Sequence, residues 1–88
     1  MPDPEPFALS DHAKRRIAQR GITVTQVRRA LLNPDRVEPD REDDLALHAI
    51  KRFYVPGGSV TLRVVYNPTK SPWQVITAFF DRKARPKR

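Results

Sequence analysis

The 88-residue sequence contains no cysteine. That excludes a disulfide framework, a thiolate metal site and a cysteine nucleophile. Only two histidines occur, His12 and His48, too far apart in sequence for a local zinc-ligand pair. Glycine is scarce, with three residues, and none lies in a Gly-rich phosphate loop; Gly57-Gly58 reads as a hairpin turn. No apolar run approaches the roughly 20 residues of a membrane span. The opening Met-Pro-Asp-Pro-Glu-Pro is the opposite of a secretory leader. These absences predict a cytoplasmic protein with no cofactor, no metal and no membrane contact. The length suits one domain with one small core.

Positive charge is abundant instead. Lys and Arg number 17 against 10 Asp and Glu, a net charge of +7, which suits a polyanionic partner such as nucleic acid or an acidic protein. The charge is blocked along the chain. Residues 11–33 hold six bases against Asp11, residues 34–44 hold six acids against Arg36 and Arg41, and residues 81–88 hold five bases against Asp81. Pro2, Pro4 and Pro6 restrict the backbone and remove donors, so residues 1–8 are expected to be a flexible extension. Residues 9–81 then form the domain, and 82–88 a basic disordered tail.

Two helices are predicted first. Ser10 is an N-cap and Gly21 a left-handed terminator, bracketing a helix over 11–19 with Leu9, Ala13 and Ile17 on its apolar stripe. Thr23 and Gln26 form a capping box, with Ile22 and Val27 at the staple positions; Val24, Val27, Ala30 and Leu31 make the buried face, and Asn33-Pro34 ends the helix. The period then changes to two. Leu45, Leu47, Ala49, Phe53 and Val55 alternate with Ala46, His48, Ile50, Arg52 and Tyr54. Val60, Leu62, Val64 and Tyr66 follow after the turn, and Val75, Thr77 and Phe79 alternate with Ile76, Ala78 and Phe80. A short edge strand is expected near Arg36–Glu38. Helices followed by strands predict an α+β fold, two helices on one face of a three- to four-stranded antiparallel sheet.

On the first helix His12, Arg16 and Arg20 are spaced i, i+4, i+8. They make a ridge advancing roughly 40° per step, along the edge of the buried stripe. Imidazole can move a proton near neutral pH, and guanidinium matches phosphate oxygens. The bland alternative has both arginines lying on the core with their heads in water and His12 packing or capping.

The string Ser10-Asp11-His12-Ala13-Lys14-Arg15-Arg16-Ile17-Ala18-Gln19-Arg20-Gly21-Ile22-Thr23 resembles the opening of the domain of unknown function 4258 family. Ala30-Leu31-Leu32-Asn33-Pro34-Asp35-Arg36-Val37-Glu38 resembles its second helix and exit. Leu62-Arg63-Val64-Val65-Tyr66 and Val75-Ile76-Thr77-Ala78-Phe79 resemble its last strands. Phe79 departs from the Tyr expected after the Thr-Ala pair. The chain is also similar to BrnT-type toxins, and both groups resemble RelE-like toxin ribonucleases. The resemblance implies a RelE/barnase-like toxin architecture, an RNA substrate and an antitoxin partner.

Metal-free RNA cleavage needs a base for the 2′-OH, an acid for the leaving oxygen and cations for the phosphorane. A catalytic set of His12, Arg16, Arg20, Arg63 and Thr77 is expected where the first helix meets the sheet. His48 shares a strand face with Arg52 and Tyr54 as a further candidate. Arg52, Arg82, Lys83 and Arg85 are expected to bind nucleic acid. The alternative is a non-catalytic module for nucleic acid or protein, with Tyr54, Tyr66 and Trp73 as stacking rings. The run Asp40, Glu42, Asp43, Asp44 reads as a solvated loop rather than a Mg²⁺ site.

Overall fold

Both helices start and stop on local signals. In the computed structural model, which describes residues 6–81, Ser10 Oγ accepts the Ala13 N–H at 3.0 Å and opens helix α1, Asp11–Gln19. The helix ends in a Schellman pattern: the Ile22 N–H reaches Ile17 O and the Gly21 N–H reaches Ala18 O, with Gly21 at φ 70°. Thr23 and Gln26 form the reciprocal capping box of helix α2, Val24–Leu32. Ile22 and Val27 are both buried.

The sheet corrects the expected three- to four-stranded antiparallel layer. Five strands, β1 Phe7–Leu9, β2 Arg36–Pro39, β3 Leu47–Val55, β4 Gly58–Asn67 and β5 Trp73–Phe80, lie in the order β1-β5-β4-β3-β2. The β1–β5 pair is parallel and the rest antiparallel, so the sheet is mixed rather than the purely antiparallel one implied by the RelE/barnase-like resemblance. Phe7 and Ala8 thus belong to a strand, not to the Pro-rich extension. Pro6 has no N–H, but its carbonyl accepts the Trp73 N–H at 3.0 Å, and Phe7 inserts into the core. That contact ties β1 to the edge of β5. The basic tail lies outside the described residues.

Two registers also differ from expectation. The β3–β4 turn is Pro56-Gly57, one residue earlier than Gly57-Gly58, because Val55 pairs with Gly58. Gly57 has φ 88°, a left-handed value that favours glycine at the second central position of the turn. In β5, Val65 faces Thr77 while Tyr66 faces Val75, leaving Ile76 as an extra residue. This bulge breaks the simple alternation: Val75 joins Ala78 in the core, and Thr77 and Phe79 turn to the other face.

Helix α1 lies over β5 and β1, and α2 over β3 and β4. Ala13 and Ile17 of α1, and Val27, Ala30 and Leu31 of α2, close on Ala49, Leu62, Val64, Tyr66, Val75 and Ala78. Among the described residues the opposite face of the sheet carries no helix.

Candidate functional site

The five residues expected to form one catalytic site fall in three places. His12 and Arg16 are exposed on α1, outside the buried stripe of Ala13 and Ile17. Among the described residues no hydrogen bond or ion pair holds either side chain. Arg20 is exposed but fixed: its Nη1 donates to Ala78 O at 2.8 Å and to Thr77 Oγ1 at 3.2 Å. Strand β1 covers only Trp73–Val75 of β5. Arg20 thus supplies a donor to the open edge beyond it. The structure joins Arg20 to Thr77, but not to Arg63.

Arg63 lies on the bare face, at the centre of a polar ladder. Its Nε donates to Asp81 Oδ2 at 2.9 Å, and its Nη1 donates to His48 Nδ1 at 3.0 Å and approaches Glu38 Oε1 at 3.4 Å. His48 Nε2 meets Asp40 Oδ1 at 2.6 Å. Guanidinium can only donate, so Nδ1 accepts and Nε2 carries the proton to Asp40. A second ring proton would land on Nδ1 and break the Arg63 bond. The His48 hydrogen bond, joined by those from the Asp43 and Glu42 backbone N–H groups, holds the Asp40 carboxyl down at about 2. Glu38 also pairs with Arg36 at 3.0 Å.

This ladder draws residues from β2, the β2–β3 turn, β3, β4 and the residue that follows β5. Sequence reasoning kept His48 and Arg63 but missed Glu38, Asp40 and Asp81 as their partners. The β3–β4 register would have found the centre, since Ile50 faces Arg63 and Val65 faces His48, leaving the two polar side chains diagonal neighbours. Both nitrogens of His48 are engaged within the fold, which leaves no ring position for a substrate proton.

The acidic run forms a turn. Asp40 Oδ2 accepts the Glu42 and Asp43 N–H groups, and Asp43 Oδ1 accepts the Leu45 N–H. Among the described residues no group of three His, Cys, Asp or Glu side chains is placed to hold a metal. Of the three candidate stacking rings, Tyr66 is buried, and burial raises its hydroxyl above the ordinary value. Trp73 packs on Tyr66 with centroids 5.1 Å apart. Tyr54 is 81% exposed. Arg52 stands beside it on the open edge of β3, while Arg82, Lys83 and Arg85 lie outside the described residues. No described helix is long and apolar enough to cross a membrane.

The model of the family described as Domain of unknown function (DUF4258) matches residues 9–80, and the chain belongs to that family. No curated protein and no solved structure matches the chain.

Proposed function

We propose that this member of the DUF4258 family is an RNA-binding protein that grips phosphates through helix α1. One observation carries the reading: Lys14, Arg15 and Arg16 are exposed on nine residues of helix, and no carboxylate among the described residues pairs with them. Asp35, Glu38, Asp40 and Asp81 are engaged elsewhere in the fold. Uncompensated cations on a short helix favour release of counterions from a polyanion. The resemblance to toxin ribonucleases selects RNA among polyanions.

A labelled single-stranded RNA titrated at several salt concentrations tests this. Replacing both Arg15 and Arg16 by Ala is expected to weaken binding about tenfold at low salt and to reduce the salt slope by about 1.4, the share of two phosphate contacts. Binding that ignores salt, or a double variant with an unchanged slope, overturns the proposal.

A second reading, metal-independent cleavage in a toxin–antitoxin pair, is favoured by His12. It is the one imidazole not locked by the fold, and Arg16 stands one turn further along. There His12 takes the 2′-OH proton, Arg16 stabilises the phosphorane, and the P–O5′ bond breaks to leave a 2′,3′-cyclic phosphate, the departing 5′-oxygen taking a proton from water; an antitoxin would then have to cover α1. Wild type that cuts defined RNAs while His12→Ala binds without cutting establishes this reading, and intact RNA with both proteins removes it.

A further inference from the structure

The β3 strand outruns its neighbour. Strand β2 pairs only with Leu47–Ile50, whereas β3 continues to Val55. The Val55–Gly58 pairing across a two-residue turn directs the backbone groups of odd-numbered β3 residues to β4 and those of even-numbered residues outward. Asp35 confirms that direction, because its N–H donates to Ile50 O and its carboxylate accepts the Arg52 N–H at 2.7 Å. Beyond Asp35 the Arg52 carbonyl and both backbone groups of Tyr54 face an edge that is open among the described residues.

A groove of about 600 Å³ runs along this edge, lined by Arg29, Asp35, Arg36, Lys51, Arg52 and Tyr54 among others. Four of these are cations and one is an acid. Lys51 donates to Asn33 O at 2.9 Å and Arg36 pairs with Glu38. The side chains of Arg29 and Arg52 have no partner among the described residues.

We propose that this edge takes an extended acidic segment of a partner protein as an added strand, reaching Arg52–Val55. The main chain of such a segment supplies donors for the Arg52 and Tyr54 carbonyls and an acceptor for the Tyr54 N–H. Its carboxylates on successive residues point to opposite faces, so that one meets Arg52 on the bare face and the next meets Arg29 on the helix side. A second copy of this edge would bring like charges together, which disfavours self-pairing. An RNA strand matches the arginines, but its 2′-OH and base donors do not repeat the alternating N–H and C=O groups that pair with the Arg52 and Tyr54 backbone. The site lies apart from the exposed cations of α1, so the two proposals fail independently.

The probe is a fluorescein-labelled ten-residue oligoglutamate, which presents carboxylates on both faces of an added strand, titrated into the full chain at low salt. Three variants divide the contributions. Tyr54→Pro removes the outward N–H without altering charge, at an edge position where Pro is tolerated, and is expected to weaken binding about fivefold, the worth of one ladder hydrogen bond. Combined Arg29→Glu and Arg52→Glu is expected to weaken it more than about tenfold. Combined Arg15→Ala and Arg16→Ala leaves it unchanged. Should Tyr54→Pro lose its folded circular-dichroism spectrum, the same peptide N-methylated at alternate residues replaces it and is expected to bind at least about fivefold more weakly. The proposal is overturned if wild type fails to bind the peptide. It is equally overturned if blocking the ladder by either route leaves affinity intact, or if a ten-nucleotide oligouridylate binds this edge with the same Arg29 and Arg52 dependence and more tightly than the peptide.

Discussion

The helices cover one face of the sheet and leave the other bare, and the two faces exclude water by opposite means. On the covered face, Leu62, Val64, Val75 and Ala78 are fully buried beneath α1 and α2, where stability comes from apolar area and close packing. On the bare face, Ile50 and Val65 are also buried, although no helix lies over them. They sit opposite Arg63 and His48 in the β3–β4 register. The stem of the one and the ring of the other flank them while their polar atoms join a ladder across β2, β3 and β4, with Asp40 and Asp81 reaching in from beyond strand ends. A sheet face without a helix among the described residues can therefore be finished with a hydrogen-bonded lattice. That lattice engages Glu38, Asp40 and Asp81, so these three carboxylates do not oppose the cations of α1.

The comparison breaks most readily on the covered side. Leu62→Ala is expected to cost about 2–5 kcal/mol in urea unfolding, the range for a fully buried leucine leaving a cavity. Arg63→Ala, on the bare side, is expected to cost about 2 kcal/mol, because it strands His48 Nδ1 and the Asp81 and Glu38 carboxylates while solvent reaches part of the site. A cycle with Asp81→Ala should return a coupling of about 1 kcal/mol for the 2.9 Å pair. Additive single variants would show that the ladder is a set of coincident surface contacts rather than a unit.

What could be read from sequence divides along the same line. The caps of both helices are local: Ser10 reaches Ala13, and Thr23 and Gln26 reach each other, each three residues away. Strand alternation was equally legible for β3 and β4, whose side chains sort correctly onto two faces. Strand β1 was not, because three residues after a Pro-rich stretch carry no period, and Phe7 is recognisable as core only once β5 lies beside it. The bulge at Ile76 escaped for a similar reason: nothing in Val75-Ile76-Thr77 marks an extra residue until β4 sets the register. The His12, Arg16, Arg20 ridge was correctly spaced, yet spacing could not show that Arg20 would be drawn to Ala78 O and Arg63 to the far face. Contacts between residues distant in sequence depend on register, and register depended on a turn displaced by one residue.

The smallest expected effect sharpens the comparison through pH. Asp40 titrates at about 2 in the fold against an ordinary 3.8. A carboxyl held below its unfolded value adds stability that is fully present above that unfolded value. The contribution fades as pH falls from about 4 towards 2, because the unfolded state takes up the proton first. The leading cause of the depression is the His48 hydrogen bond, so His48→Ala should lose part of this pH dependence. The urea midpoints of wild type and His48→Ala are expected to converge between pH 4 and 2.5, whereas the gap between wild type and Leu62→Ala stays constant over the same interval. A His48→Ala gap that is equally constant would mean that the Glu42 and Asp43 N–H groups alone hold Asp40 down, making the turn, rather than the ladder, the acid-sensitive part of the bare face.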